Sequence, residues 1–287
     1  MESGRVESKS DAAFEACSRL AKSHYENFTV GSLLLPRGTK KHLHALYAFA
    51  RTTDDIGDES EGDRLANLEA WEEDFRKIRR GTPRHPVHVA LVETVRLFDI
   101  PDEPFLKLIE ANRIDQRKTR HETFQDLLHY CDHSANPCGR LVLYVFGERD
   151  KEMQRLSDFT CTALQLVNFW QDLAIDWKKD RVYIPQEDLR RFRYTEEELG
   201  RGELTDRFRE LMAFQAARTR DFFDRGLPLA DRLRGAARLD IRLFSRGGMR
   251  VLDLIERAGY DVFRRRPTLS KLGKARLALE TVLGIGP

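Results

Sequence analysis

Leu166-Val-Asn168-Phe-Trp-Gln171-Asp172-Leu-Ala-Ile-Asp176 sets three oxygen-bearing side chains, Asn168, Asp172 and Asp176, four residues apart in an otherwise apolar run. Residues four apart stack one turn above another on a helix, so the spacing predicts one polar ridge. Leu164, Leu166, Val167, Phe169, Trp170, Leu173, Ala174 and Ile175 flank the ridge, where a solvent face would carry Lys, Glu and Gln. Stacked like charges repel, and burying an uncompensated ion costs several kcal/mol. The ridge therefore predicts a cation between its carboxylates.

A second acidic cluster lies upstream, in Tyr47-Ala-Phe-Ala-Arg51-Thr-Thr-Asp54-Asp55-Ile-Gly-Asp58-Glu59. Asp54 and Asp58 stack in the same way, and Tyr47 and Arg51 continue their stripe toward the N-terminus. Carboxylate and amide oxygens with no His or Cys nearby suit Mg²⁺, which keeps waters and takes substrate phosphates alongside one or two protein carboxylates. Two acidic ridges facing each other across a bundle would hold a diphosphate through bridging Mg²⁺. Either cluster alone reads as well as a solvated acidic face or a helix cap; the pair, both on apolar helices, carries the metal reading.

Apolar residues at intervals of three and four recur along the chain. They predict helices over Lys40–Glu59, Leu65–Arg79, His88–Phe98, Pro104–Thr119, Phe124–Tyr130 and Gly139–Phe146. The pattern continues over Met153–Lys178, Thr195–Glu198, Asp206–Asp224, Ala236–Ala258 and Ser270–Leu283. Short breakers separate them, such as GTPRHP (81–86) and SANPCG (134–139), and period-two alternation is missing. We expect an all-α, single-domain bundle over residues 11–287, behind a disordered tail of residues 1–10.

The 49 basic and 47 acidic residues leave a formal net charge of +2, and 41% of the chain is hydrophobic. That balance argues against disorder and against nucleic-acid binding as the main task. Leu141–Phe146 is typical of the longest apolar runs, well short of the roughly 18 residues a spanning helix needs. MESGRVESKSD has no apolar signal core, and four cysteines without metal-type spacing read as reduced thiols, so a cytoplasmic protein is expected. His121, His129 and His133 lack a complete metal spacing and read as surface or capping residues.

With both clusters in view, the chain resembles the squalene/phytoene synthase family of head-to-head prenyl-diphosphate enzymes. The likeness runs from Asn27-Phe-Thr-Val-Gly-Ser32-Leu-Leu-Leu-Pro36 to Tyr260. Arg51-Thr-Thr-Asp54-Asp55-Ile-Gly-Asp58 resembles the family's first Mg²⁺-diphosphate box, and Leu166 to Asp176 its second, followed by Asp180-Arg181-Val-Tyr183-Ile-Pro185. Asp115 and Tyr130-Cys131 fall where the family places cavity and capping residues. Two departures bear on the branch. Glu26-Asn27-Phe28 replaces a Ser-x-Ser-Phe segment, and Ser134-Ala-Asn136-Pro137-Cys-Gly139-Arg140 replaces a Val-Ala-Gly stretch. With Phe169-Trp170-Gln171, these variants resemble the bacterial hydroxysqualene synthases of hopanoid biosynthesis.

The resemblance implies an isoprenoid-synthase-type bundle with a central apolar cavity. It implies conversion of presqualene diphosphate and water to hydroxysqualene and diphosphate, with Mg²⁺ held by Asp54, Asp58, Asn168, Asp172 and Asp176. Arg51, Arg181 and Lys178 would bind phosphate oxygens, with pairing to Asp180 or Glu187 the alternative for Arg181. Tyr47 would face the reacting cation or be a core residue with its hydroxyl in the polar stripe, and Asp115 and Tyr183 would contact substrate. Condensation of two farnesyl diphosphates to presqualene diphosphate or squalene shares every aspartate and stays open. So does a non-catalytic prenyl-lipid-binding or assembly subunit, against which the intact boxes argue. Other hopanoid-pathway enzymes are implied partners. Finally, Phe263-Arg264-Arg265-Arg266 and the amphipathic Ser270–Leu283 segment read either as a solvated basic face or as peripheral contact with the inner face of the membrane.

Overall fold

The computed structural model describes residues 8–23 and 37–284. In chain order its helices are α1 (Lys9–Ser23), α2 (Arg37–Glu59), α3 (Arg64–Phe75), α4 (Pro86–Phe98) and α5 (Glu103–Asp115). Then come α6 (Phe124–Ser134), α7 (Asn136–Val145), α8 (Lys151–Gln171), α9 (Leu173–Trp177) and α10 (Gln186–Arg191). The last are α11 (Glu196–Gly200), α12 (Asp206–Gly226), α13 (Pro228–Arg232), α14 (Gly235–Arg257) and α15 (Lys271–Val282). The fold is the expected all-α bundle; the β-structure among the described residues is one isolated parallel bridge, Arg120 with Val182. Within it the chain forms two compact units, one running to Gln116 and resumed at Pro137–Asp150, the other comprising Arg117–Asn136 and everything from Lys151. The chain passes between units at helix ends, after α5, at the first turn of α7 and before α8, which is why no linker is legible.

In the first unit α2 packs against α1, α3, α4 and α5. His42, Leu46, Phe49 and Thr53, at intervals of four, three and four, form its buried face. The Phe49 ring lies 5.6 Å from that of Trp71, 5.4 Å from Phe75 and 5.0 Å from Phe105. Trp71 Nε1 donates to Thr53 Oγ1 at 2.9 Å. Each buried aromatic contributes about 1.5–3 kcal/mol, against about 0–1 kcal/mol for an exposed ion pair. Packing, then, sets the rotation of α2, and the stripe Tyr47, Arg51, Asp54 and Asp58 is left on the side opposite Phe49.

In the second unit α8 packs against α6, α12, α13 and α14. Trp170 is buried, with Nε1 donating to Thr219 Oγ1 at 2.8 Å. A Cβ on Gly226 would stand 2.3 Å from Thr160 Oγ1, so the end of α12 reaches α8 only because that residue is glycine. Thr119 and His121 accept from the backbone of Val182 and Gln186, at 2.9 Å each, and so zip residues 119–122 alongside 182–187.

Three expectations need correction. Helix α1 was not anticipated: its buried residues are Ala13, Phe14, Cys17 and Ala21, mostly too small to mark an apolar face. It begins at Lys9, inside the stretch read as a tail, while residues 1–7 lie outside the described residues. The single helix expected over Met153–Lys178 is broken at Asp172 (φ −105°, ψ 11°), which separates α8 from α9.

Candidate active site

Asp54 sits on the outward stripe of α2 and keeps solvent access. Its Oδ1 accepts from Asn112 Nδ2 of α5 at 3.1 Å. The same amide donates to Leu108 O, and Gln116 Nε2 donates to Gly57 O at 2.9 Å. A Cβ on Gly57 would stand 2.2 Å from Asn112 Oδ1, so this glycine lets α5 bring Asn112 and Asp115 against α2. Surrounding protein desolvates the Asp54 carboxyl, and Asp58 and Asp115 add negative charge; despite the Asn112 hydrogen bond and Arg51, its pKa rises to about 6. The Arg51 guanidinium lies 2.5 Å from Asp55 and 3.5 Å from Glu59, while its buried Nε has no hydrogen-bond partner among the described residues. That donor is available to a ligand oxygen. Tyr47 is half-buried one turn earlier.

The second motif straddles the α8–α9 joint. Asp172 N donates to Asn168 O and Asp176 N to Asp172 O, both at 2.9 Å, so the three residues keep one-turn spacing across the break. Asn168 is exposed, Asp172 and Asp176 are half-buried, and Ile175, expected among the apolar flanks, is 46% exposed. The ridge is thus open to ligand rather than sealed in the core. Arg266 holds Asp172 with a two-pronged contact, its Nη2 2.9 Å from Oδ2 and its Nε on Oδ1. Gln171 Nε2 donates to Pro267 O, fastening the same segment to the end of α8.

Arg181 follows the motif, with its backbone N donating to Asp176 O at 2.9 Å. Its neighbours in sequence make contacts of their own: Asp180 holds Arg120 at 2.8 Å and Glu187 accepts from Phe124 N at 2.6 Å. Lys178 is exposed at the C-cap of α9. Tyr183 is buried, its ring stacked 3.9 Å from that of Phe169 at 14°. His121 corrects the surface reading: it is buried beside Tyr130 and Tyr183, and burial pushes its pKa down to about 4. His129 is exposed and His133 half-buried, as a surface reading requires.

Asp54, Asp58 and Asp115 are thus brought together in the first unit, and Asn168, Asp172 and Asp176 in the second. Sequence reasoning missed Asn112, whose signal is an amide one turn before Asp115 on an apolar helix. It also missed Arg266 as the partner of Asp172, and no local pattern could have shown that. Every donor in both motifs is a carboxylate or amide oxygen. The excess negative charge around Asp54 and the guanidinium seated on Asp172 both mark places where a cation is wanted, so the residues fit Mg²⁺. Among the described residues no three His, Cys, Asp or Glu side chains are grouped so that they could hold a metal ion. The segment Asn27–Pro36 lies outside the described residues, as does the Glu26-Asn27-Phe28 variant.

A helical bundle carrying an oxygen-donor motif with an adjacent arginine in each unit is the arrangement expected of a protein class that binds polyphosphate through divalent cations. The chain belongs to the squalene/phytoene synthase family, whose model matches residues 21–273, and is an enzyme of the head-to-head prenyl-condensing type. It is 32% identical over 284 residues to the 15-cis-phytoene synthase of Synechococcus elongatus, covering 93% of this chain and 92% of the relative. It is 33% identical over 282 residues to the phytoene synthase of Arthrospira platensis, covering 91% and 90%. Among solved structures, squalene synthase HpnC from Alicyclobacillus acidocaldarius is 44% identical with a TM-score of 0.85, over 89% of this chain and 97% of that one. A dehydrosqualene synthase at 22% identity and a TM-score of 0.89 shares the fold, over 96% and 97%. The likeness is to a squalene synthase, where the sequence variants had pointed to hydroxysqualene synthases.

Proposed function

We propose that the protein condenses two farnesyl diphosphates head to head. Two substrate molecules give presqualene diphosphate, one diphosphate and one proton; squalene would follow from loss of the second diphosphate, rearrangement of the cation and transfer of a hydride from a reduced nicotinamide. The observation that carries the squalene arm over the phytoene arm is the 44% identity to a squalene synthase, against 32% and 33% to phytoene synthases.

Asp54 and Asp58 in the first unit, and Asn168, Asp172 and Asp176 in the second, would hold Mg²⁺. Bound there, the ion supplies electrostatic and Lewis-acid stabilisation of the departing diphosphate. Arg51, through its unpartnered Nε, binds a non-bridging phosphate oxygen, and Arg181 and Lys178 add charge-assisted hydrogen bonds beside the second motif. Asn112 orients Asp54 with its amide, and Asp115 adds negative charge beside it. Tyr47 faces the reacting carbons. The prenyl chains would need an apolar cavity, as the family resemblance implies, to keep water from the cation left when diphosphate departs.

One observation favours a second reading, hydration of presqualene diphosphate to hydroxysqualene with release of diphosphate. Buried Asn136 accepts a hydrogen bond from Thr162 Oγ1 at 2.9 Å, a polar pair in the stretch that departs from the family's Val-Ala-Gly. Such a pair can hold a water against an apolar wall. The test is incubation with Mg²⁺ and either farnesyl or presqualene diphosphate, with products identified by mass. Presqualene diphosphate formed from farnesyl diphosphate supports the condensation. Hydroxysqualene from presqualene diphosphate, with farnesyl diphosphate untouched, replaces it by the hydration. Diphosphate release from neither substrate sinks both.

A further inference from the structure

Large apolar side chains exposed to solvent are few on this protein, and they cluster. Of the seven among the described residues, four (Leu272, Leu279, Val282 and Leu283) lie on α15 and its C-cap. On a regular helix these four and Ala275 fall within an arc of about 100°. Leu277, Ala278 and Thr281, the buried residues of α15, take the other side. There α15 rests on α14 through Leu243, with Arg246 donating to Thr281 Oγ1 at 3.1 Å. The exposed stripe is therefore a second apolar face, unpartnered among the described residues, 80% exposed at Leu272 and 60% at Leu279.

Charge surrounds the stripe with one sign. Helical spacing places Lys271 along one border and Arg276 along the other, and Lys274, Arg264 and Arg265 are exposed nearby in the chain. The single acid of α15, Glu280, is held by Arg276 at 2.6 Å and lies 3.6 Å from Arg250. Arg266, read from sequence as part of the same basic patch, is committed to Asp172 and drops out.

We infer that α15 is a membrane-docking element: its leucine stripe inserts at the surface of an anionic bilayer, and the flanking cations sit among the lipid phosphates. Apolar area and basic charge together form the two-signal arrangement that reversible membrane binding needs. A second copy of the chain is a poorer occupant. Twofold pairing of this face would set lysines and arginines against their own kind, and four side chains fall short of the roughly 800 Å² per partner of a stable interface. The inference rests on α15 alone and stands apart from the proposed reaction.

The test uses the full chain without substrate, sedimented with phosphatidylcholine vesicles with and without phosphatidylglycerol. We expect pelleting with the anionic vesicles only, weakened by salt. Partitioning should fall on the order of tenfold in Leu279→Gln, which removes exposed apolar area. It should fall about fivefold for each cation removed in Lys271→Gln and Arg265→Gln. These positions are exposed, so circular dichroism and melting temperature should match the parent. Failure of the parent chain to pellet with anionic vesicles overturns the inference, as does undiminished pelleting of Leu279→Gln. Concentration-dependent dimerisation abolished by Leu279→Gln would also overturn it, by assigning the stripe to a second copy.

Discussion

Asp172 shows how one residue meets two demands. It interrupts the helix that carries it, yet its backbone bonds to Asn168 and Asp176 preserve the one-turn spacing of the oxygens. Its carboxylate, on a ridge open to ligand, takes Arg266 as counter-ion. Replacing Asp172 or Asp58 by Ala should lower kcat by on the order of a thousandfold or more while leaving the melting temperature within a few degrees. Near-normal turnover in either variant would remove it from the machinery. Arg266→Gln should bind Mg²⁺ more tightly in the absence of diphosphate, since guanidinium and metal compete for the same oxygens. Calorimetric titration with the metal alone reads this, and unchanged or weaker affinity would show that Arg266 is no competitor. Asp54 and Asp172 were legible from spacing; Arg266 was not, because a partner 94 residues away leaves no mark on local periodicity.

At the scale of elements, contacts between helices decide where each acidic stripe points. Helix α2 is rotated by its aromatic face, and α5 approaches it at Gly57. Gly57→Ala adds only a methyl group, but that methyl would meet Asn112 Oδ1 at 2.2 Å and push α5 away. We expect a loss of about 1–3 kcal/mol in urea unfolding, together with a fall in kcat from the displaced Asn112–Asp54 bond. Unchanged stability and activity would show that α5 does not need the close approach. The helices with large apolar residues at regular spacing were readable, whereas α1 was hidden by its alanines and cysteine. The end of Met153–Lys178 as one helix was equally hidden, since nothing in the apolar pattern marks Asp172 as a joint.

For the molecule as a whole, stability rests on apolar packing in each unit, and the acidic motifs stand apart from it. Chelating divalent cations should therefore stop diphosphate release while leaving circular dichroism and melting temperature unchanged; unfolding on chelation would give the cation a structural role instead. The fold also carries one acid with no part in the proposed chemistry. Asp240 of α14 is buried, its Oδ1 unpartnered among the described residues, and desolvation raises its pKa from 3.8 to about 7. Between those two values the folded chain holds a proton that the unfolded chain has lost, so stability declines as pH rises and the loss is complete above the higher one. Asp240→Asn should abolish this decline. Melting temperatures at about pH 5 and about pH 8 should differ more in the parent than in the variant, and equal slopes would show that Asp240 is solvated. The sequence by itself determined the all-α class, the two aspartate motifs and their family, because helical period and four-residue spacing are local properties. Tertiary structure alone decided that Asn112 braces Asp54, that Arg266 occupies Asp172, that His121 is core and that α15 shows two apolar faces. Each of these depends on which surfaces meet, and distant packing sets that.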